Sequence, residues 1–267
     1  RRGIVDGTHY STITAERAGK VARITLNRPE VHNAFTAAMI RELREAVRAA
    51  ADDPVVRIVV LTGTGRSFCA GADLNWMREI LAASYDQNYA ESLAVAEFHE
   101  ELYALPKPTI ARVNGTAIGG GTGFLSACDI VVASAEAKFG LSEVKLGLVP
   151  AAISPYVVRR IGESQARRYF LTGERIDARR AQEIGLVNIV VPTEELDHRT
   201  NELVVSLLSS GPDALAKAKE LLHIVPGMPH EEAKAYTAAM IAALRVSAEG
   251  QEGMAAFLER RKPKWAG

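Results

Sequence analysis

Two hydrophobic patterns alternate along the first two thirds of the chain. Alternating β-branched and other residues predict a strand at residues 21–26, and a short apolar run predicts a buried strand at residues 55–61. Residues 109–113 and 130–134 also have the pattern of strands. Apolar positions at helical spacing predict a helix over residues 37–51, with Thr36 as its N-cap, and a long, interrupted helical stretch over residues 75–105. The repeated order of strand, turn and helix indicates an α/β core built as stacked turns.

The last third of the chain has a different pattern. From Ser164 onward it is almost wholly helical, with Ala-, Leu- and Glu-rich stretches at residues 212–224, 231–246 and 250–261. We therefore predict three parts of the chain, which are an N-terminal extension over residues 1–19, a core domain over residues 20–195 and a helical C-terminal subdomain over residues 196–267.

The charge balance gives no preference for a polyanionic partner. Lysine and arginine number 32, as do aspartate and glutamate, so no overall field attracts nucleic acid or an anionic membrane. No apolar run approaches the roughly 20 residues that a membrane-spanning helix needs. Cys69 and Cys128 lack the pattern of a disulfide scaffold or a metal site, and we interpret them as buried thiols of a cytoplasmic protein.

Two segments of small residues could approach a ligand closely. Residues 68–74 (FCAGADL) follow a predicted strand, and residues 114–123 (NGTAIGGGTG) lead from a strand into a helix. Amides freed by small residues can converge into an oxyanion hole, although glycine clusters also serve tight turns and close packing. The second segment lacks the Gly-Lys-Ser/Thr of a P-loop and the acidic residue of a dinucleotide-binding unit.

Glu143 is the titratable group with the most unusual surroundings. It lies in the apolar segment FGLSEV, which is followed closely by LGLVP. Burial of a carboxyl group there would raise its pKa toward the range useful for proton transfer. The alternative is a surface glutamate that pairs with Lys138 or Lys145.

Motifs for other chemistries are missing from the sequence. It contains neither a G-x-S-x-G nucleophile motif nor an HExxH metal motif, and we predict no metal site. None of the histidines has a plausible partner nearby in sequence, so we interpret all of them as core or surface residues. They are His9, His32, His99, His198, His223 and His230.

Seven segments together resemble the crotonase family, also known as the enoyl-CoA hydratase/isomerase family. In chain order they are ITLNRPEVHNAF, FCAGADL, PKPTIARVNGTAIGGGTG, ACDIVVAS, AKFGLSEVKLGLVP, LTGERIDARRAQEIGLVN and FLERRKPKW. The resemblance extends from the first predicted strand to the end of the chain. It implies a spiral of strand-strand-helix turns with a helical C-terminal subdomain, assembled as a homotrimer or homohexamer.

The resemblance also implies roles for individual residues. The amides of Ala72 and Gly120 would form an oxyanion hole for a thioester carbonyl, and Glu143 would move a proton to or from the acyl chain. The residues that would contact CoA, the last two often from a neighbouring subunit, are Ala70, Ala72, Asp73, Leu74, Asn75, Gly120, Phe257 and Arg260. An exposed charge in a basic run is the alternative for Arg260. CoA is part of the substrate here, so no separate cofactor is expected.

Two positions depart from the family pattern. Gly123 stands where enoyl-CoA hydratases have the first of two glutamates, and Ala151 stands where family members with other reactions have an aspartate. Ala151 therefore favours hydration or double-bond isomerisation over those other reactions. A single carboxylate suits an isomerase, but Glu143 could still polarise water alone or with help from Ser142 or Tyr156.

The favoured function is hydration of a 2-enoyl-CoA thioester. The segments GADLNWM, SEVKLGLVPAAISPYVVRRIG and RRYFLTGERIDA are similar to the methylglutaconyl-CoA hydratase branch of the family, which implies a branched or carboxylated substrate such as 3-methylglutaconyl-CoA. Arg159 or Arg160 could bind the additional carboxylate or could face solvent. The alternatives are a Δ3-Δ2-enoyl-CoA isomerase and a non-catalytic member that binds CoA or RNA. The retained Glu143, Ala72 and Gly120 disfavour the non-catalytic alternative.

Overall fold

The computed structural model describes residues 9–266, which form two β-sheets and the helices around them. Residues 1–8 of the predicted extension and Gly267 of the predicted C-terminal subdomain lie outside the described residues. The strands of the described part are β1 (Ile13–Ala18), β2 (Val21–Leu26), β3 (Ile58–Gly63), β4 (Ser67–Cys69), β5 (Thr109–Val113), β6 (Thr116–Ile118), β7 (Ile130–Ser134), β8 (Lys138–Gly140), β9 (Arg175–Asp177) and β10 (Ile189–Val191). Its α-helices are α1 (Ala37–Asp52), α2 (Leu74–Ala82), α3 (Tyr85–Ala104), α4 (Gly120–Ser126), α5 (Ser154–Thr172), α6 (Ala178–Glu183), α7 (Leu196–Leu208), α8 (Pro212–Ile224), α9 (His230–Val246) and α10 (Ala248–Leu258).

Successive turns of the chain alternate between the two sheets. The larger sheet has the order β1-β2-β3-β5-β7-β10 and is parallel from β2 onward. The smaller sheet has the order β4-β6-β8-β9 and is parallel from β4 to β8. Three times in succession one strand joins the larger sheet, the next joins the smaller sheet and a helical segment comes after it. This arrangement confirms the predicted α/β spiral of strand-strand-helix turns.

The strand β1 was not predicted. It pairs with β2 along its whole length, from Ile13 opposite Leu26 to Ala18 opposite Val21. Half of its sequence, ITAERA, is polar, which suits an edge strand with several accessible side chains. Part of the segment treated as an extension therefore completes the larger sheet, while the three-part domain division stays a prediction.

The helix α1 has the predicted start and buried face. The Thr36 Oγ1 atom accepts a hydrogen bond from the Met39 amide at 3.3 Å and caps the helix. Met39, Leu43 and Val47 recur at helical spacing and are buried against the sheet. The predicted stretch over residues 75–105 is instead two helices, because Ser84 and Gln87 form a capping box that starts α3.

The C-terminal helices differ in the surfaces that they cover. The helix α7 packs on the larger sheet, where Leu196 joins a buried cluster with Val60 and Ile110. The helices α8, α9 and α10 confirm the three predicted C-terminal helices and contact one another. Within residues 9–266 no helix has both the length and the apolar character that a bilayer span requires.

The cysteines have the predicted environment. Cys69 and Cys128 are buried and form no disulfide bond. Burial raises the pKa of each thiol to about 12, so both stay protonated and pack as small apolar groups.

Candidate active site

The carboxyl ends of three parallel strands meet at one edge of the smaller sheet. The strands β4, β6 and β8 are neighbours there. Ala72 follows β4 by three residues, Gly120 follows β6 by two, and Glu143 follows β8 by three. Because segments that leave parallel strands start from the same edge, the topology brings these three residues together.

The backbone amide of Ala72 is directed away from its paired segment. The Phe35 amide donates to the Gly71 carbonyl at 2.8 Å, and the Asp73 amide donates to the Phe35 carbonyl at 2.9 Å. In such a parallel bridge the intervening residue, Ala72, points its own N–H to the opposite side. No hydrogen bond between described residues uses the Ala72 N–H, so this donor is free to bind an oxygen atom.

Gly119 and Gly120 are glycines for different steric reasons. Gly119 has φ 53° and ψ −122°, a conformation that favours glycine, and its amide donates to the Gly140 carbonyl at 2.8 Å. A Cβ atom on Gly120 would lie 2.5 Å from the Phe35 ring. The Gly120 N–H opens α4 and makes no hydrogen bond within residues 9–266. Ala72 and Gly120 thus supply two free amides, both next to Phe35.

The Glu143 carboxyl group is partly buried and unpaired. A Cβ atom on Gly119 would lie 3.0 Å from its Oε1 atom, which places the carboxyl beside the start of α4. Its Oε2 atom is buried and has no hydrogen-bond partner in the described part of the chain. Burial raises the pKa of Glu143 above its ordinary value. No ion pair of the described residues links it to Lys138 or Lys145, so the alternative of a paired surface glutamate is wrong.

Neighbouring side chains fill the space next to Gly123. Gly123 is buried one helical turn after Gly119, to whose carbonyl its amide donates at 3.1 Å. A Cβ atom on Gly123 would overlap the Ile153 Cγ2 atom and would lie 2.7 Å from the His99 Nε2 atom. A glutamate at position 123 therefore requires both side chains to move. No sequence pattern signals this contact, because Ile153 and His99 come from distant segments.

His99 is held among aromatic rings. It stacks on Tyr156 with the centroids 5.6 Å apart and contacts Phe98 at 5.4 Å and Phe124 at 5.5 Å. Because a carbonyl only accepts, the His99 Nδ1 atom donates to the Val95 carbonyl at 2.7 Å, and Nε2 carries the free lone pair. Nε2 is buried without a hydrogen-bond partner among the described residues. Burial lowers the pKa of His99 to about 4, so its ring is neutral near pH 7.

Tyr156, which stacks on His99, also lines a cavity of about 210 Å³. The cavity lies one to two turns further along α5 and is also lined by Tyr103, Arg159, Arg160 and Lys219. These three cationic side chains outnumber the one carboxylate of the lining, Asp129, so an anionic group could bind there.

The cations of this cavity differ in availability. The Arg160 guanidinium donates to the Cys128 carbonyl at 2.6 Å and to the Leu186 carbonyl at 3.2 Å. Lys219 pairs with Asp129 at 2.7 Å. Arg159 lies 5.3 Å from the centroid of the Tyr103 ring and forms no ion pair with the described residues. Arg159 is exposed, as the alternative of a solvent-facing side chain predicts, and is a cation of this cavity without an ion pair among the described residues, while Arg160 is engaged within the fold.

The residues expected to contact CoA near α2 differ in exposure. Ala70, Leu74 and Asn75 are exposed beside the free amide of Ala72. Asp73 is buried, accepts hydrogen bonds from two amides at the start of α2 at 2.8 and 3.3 Å, and pairs with Arg28 at 2.9 Å. Burial opposes ionisation of Asp73, but these hydrogen bonds and the Arg28 charge outweigh it and hold the pKa of the carboxyl below its ordinary value. The Asp73 carboxylate is thus used within the fold, and its contact with CoA stays a prediction.

Phe257 and Arg260 lie at the end of the helical C-terminal part. Phe257 is 83% exposed, and Arg260 is exposed with φ 55°. No hydrogen bond, ion pair or ring contact of the described residues joins either to Ala72, Gly120 or Glu143. Their contact with CoA, from the same or a neighbouring subunit, stays a prediction.

Comparison with known proteins identifies the family. A sequence model of the enoyl-CoA hydratase/isomerase family matches residues 16–267. The chain belongs to this family. The predicted family and crotonase-type fold are thereby confirmed.

Hydratases are similar to this enoyl-CoA hydratase/isomerase family member along nearly its whole length. The 2,3-dehydroadipyl-CoA hydratase of Escherichia coli is 36% identical over 259 residues, which cover 96% of this chain and 99% of the relative. The crotonyl-CoA hydratase of Syntrophomonas wolfei is 35% identical over 255 residues, which cover 95% of this chain and 97% of the relative. The crystal structure of an enoyl-CoA hydratase from Shewanella pealeana has a TM-score of 0.93 and 40% identity, with 98% of each chain covered. These relatives confirm the prediction of an enzyme.

Proposed function

We propose that this enzyme adds water across the 2,3 double bond of a 2-enoyl-CoA thioester. The observation that carries the proposal is the convergence of two free amides, on Ala72 and Gly120, with the unpaired carboxyl group of Glu143. The relatives named as hydratases support it.

The two amides act on the thioester carbonyl. As water adds at C3, electron density moves through C2 to the carbonyl oxygen, which becomes an enolate oxygen. The Ala72 and Gly120 amides bind this oxygen more strongly as its charge grows, so they lower the barrier rather than only binding the substrate. The loss of one such donor commonly slows turnover by about 10²- to 10³-fold.

Glu143 completes the addition at C2. Its raised pKa favours the protonated carboxyl, which can donate a proton to C2 as the enolate collapses. The hydroxyl group remains on C3, and the proton left from water restores the Glu143 carboxyl. The net change is one water molecule added, and the CoA moiety is unchanged.

We further propose that the acyl chain bears a second carboxylate, as in the branched 3-methylglutaconyl-CoA. Arg159 is an unpaired cation at the cavity that Tyr156 also lines, on the same helix. Arg160, the other candidate for this role, is engaged with backbone carbonyls. The similarity to a 2,3-dehydroadipyl-CoA hydratase supports a dicarboxylic acyl group.

Isomerisation is the second candidate function. Gly123 has no carboxylate, and Glu143 alone could carry a proton between C2 and C4 of a 3-enoyl-CoA. The same two amides would stabilise the dienolate that this proton transfer creates.

We also propose that the protein forms a homotrimer or homohexamer and is located in the cytoplasm. Phe257 and its neighbour Leu258 are 83% and 79% exposed, which suits contact with another subunit of a homotrimer or homohexamer. Such contact would bring Phe257 and Arg260 to a neighbouring CoA site. Light scattering of the purified protein would measure the subunit number. The buried, unbridged cysteines suit the cytoplasm.

The function is tested by incubating the protein in deuterated water with crotonyl-CoA, 3-methylglutaconyl-CoA or a 3-enoyl-CoA and measuring product masses. Addition of the mass of deuterated water to a 2-enoyl thioester is the expected result. Deuterium incorporation with a shifted double bond and no added water would instead establish the isomerase.

The substrate class is tested with Arg159→Leu. We expect kcat/KM for 3-methylglutaconyl-CoA to decrease by about 10- to 100-fold, the loss typical of a charged hydrogen bond, while kcat/KM for crotonyl-CoA stays unchanged. Arg167→Leu, an exposed arginine of the same helix, is the control. Equal effects of Arg159→Leu on both substrates would contradict the carboxylate-binding role.

A further inference from the structure

Two polar side chains from other segments approach the start of α4 at glycines one helical turn apart. The Glu143 carboxyl lies at Gly119, and the His99 Nε2 atom lies at Gly123. The Gly119 carbonyl accepts a hydrogen bond from the Gly123 amide at 3.1 Å, so the two backbone positions beside which these groups lie are one helical turn apart. The amide of Gly120, which would hold the thioester oxygen, lies between these two levels.

The His99 nitrogen is oriented toward this part of α4 by its own contacts. The hydrogen bond from Nδ1 to the Val95 carbonyl fixes the tautomer, and stacking on Tyr156 fixes the ring plane. Nε2 then presents its lone pair toward Gly123, where a larger residue would displace it. A buried acceptor without a donor destabilises a folded protein, because the nitrogen has lost its hydrogen bonds to water. Phenylalanine would keep the aromatic contacts without that loss, although its ring is somewhat larger than imidazole.

We propose that His99 is the second proton-transfer residue of the hydration reaction and occupies the role left open by Gly123. The proposal rests on the proposed hydratase function. The Nε2 lone pair accepts a hydrogen bond from the attacking water and takes its proton as the oxygen bonds to C3. Glu143 supplies the proton that C2 gains. As the product leaves, water that enters past the displaced Ile153 side chain carries the proton from Nε2 to the Glu143 carboxylate, so the enzyme is restored and one water has been added.

Ile153 and Phe124 lie between His99 and the rest of the candidate site. Ile153 is the apolar side chain that lies against Gly123 beside Nε2, so a water molecule reaches the nitrogen only when the Ile153 side chain moves aside. Phe124 contacts both His99 and Phe35, so the wall that holds His99 is continuous with the ring beside the two amides.

The test compares His99→Phe and His99→Gln with the wild-type enzyme. We expect His99→Phe to lower kcat for hydration by about 10²-fold or more, the usual contribution of a general base, while the Kd of butyryl-CoA changes by less than about threefold and Tm does not decrease. His99→Gln retains an acceptor and should keep more activity than His99→Phe. His230→Phe, an exposed histidine at the start of α9, is the control.

A second measurement separates catalysis from packing. Exchange of the C2 protons of butyryl-CoA with deuterated water needs only Glu143 and the two amides, so His99→Phe should retain exchange while it loses hydration. Hydration by His99→Phe within about threefold of wild type would overturn the proposal. Parallel loss of exchange, hydration and Tm in both variants would also overturn it, because His99 would then act through packing alone. A wild-type protein that hydrates no 2-enoyl-CoA refutes the proposed function itself, a distinct result.

Discussion

The larger sheet and the smaller sheet differ in the length of their strands and in the residues at the strand ends. Strands of the larger sheet reach six residues, and β3 is buried throughout between α7 on one face and the main core on the other. In the smaller sheet each strand has three residues, yet the segments after β4, β6 and β8 supply Ala72, Gly120 and Glu143. Burial in the larger sheet therefore stabilises the spiral, while the candidate chemistry lies where the short strands of the smaller sheet end.

Glu143→Gln, at the edge of the smaller sheet, is the strongest test of this division of stability and chemistry between the two sheets. We expect turnover to decrease by about 10²- to 10⁴-fold, because the amide cannot deliver the C2 proton. The Kd of butyryl-CoA, measured by calorimetry, should stay close to the wild-type value. The exposed Glu136 offers a matched control, Glu136→Gln, that should leave kcat unchanged. Undiminished turnover of Glu143→Gln would remove Glu143 from the mechanism.

Gly120→Ala should have the next largest effect. Its Cβ atom would lie 2.5 Å from the Phe35 ring, so either this ring or the Gly120 backbone must shift, and both adjoin the oxyanion donors. Displacement of one oxyanion donor should lower kcat by about 10²- to 10³-fold, with some loss of Tm from the steric conflict. Gly227→Ala is the control, since a Cβ atom there has no neighbour within 4 Å. Equal kcat values for the two variants would contradict the role of the Gly120 amide.

Val60→Ala tests the larger sheet. Val60 is 1% exposed in the centre of β3, and the cavity left by its truncation should lower the free energy of unfolding by about 1–3 kcal/mol. Because no candidate site residue follows β3 directly, kcat should stay within about twofold of wild type. Val55→Ala, at a position 45% exposed, should change the unfolding free energy by less than about 0.5 kcal/mol. Denaturant unfolding at one protein concentration measures the unfolding free energies of both variants. A loss of kcat in Val60→Ala without a loss of stability would contradict the assignment of stability to the larger sheet and chemistry to the smaller one.

The two sheets also differ in how far the sequence predicts them. The strand at residues 21–26 was predicted with the observed ends, because six residues with alternate side chains buried give a clear strand pattern. The strand predicted at residues 55–61 begins later, at Ile58. The Asp53 side chain accepts a hydrogen bond from the Val55 amide at 2.9 Å, and this bond holds the preceding residues in a turn. Three-residue strands such as β4 and β8 give no such signal, so the smaller sheet was not predicted from the pattern.

The candidate site was predicted unevenly for a similar reason. The family resemblance singled out Ala72, Gly120 and Glu143 because they lie in continuous sequence segments. It could not indicate His99 or Ile153, whose relation to Gly123 arises only when α3 and the start of α5 pack on α4. Side chains brought together by tertiary packing have no fixed spacing in sequence.

The smallest expected effect concerns the stability cost of the Glu143 carboxyl. Its pKa is raised in the folded protein, so above the ordinary value of 4.5 the folded state binds more protons at this site than the unfolded state does. The contribution of Glu143 to stability is therefore fully present below that value and is lost as the pH rises through the raised pKa. Glu143→Gln removes this dependence, so its Tm should exceed the wild-type Tm slightly at about pH 8, and the difference should shrink toward about pH 4. Thermal unfolding of both proteins across this range measures the effect. A Tm difference that is constant with pH, or that grows on acidification, would mean that the carboxyl at the edge of the smaller sheet is not desolvated, and the contrast between a stabilising sheet and a reactive edge would then lose its electrostatic basis.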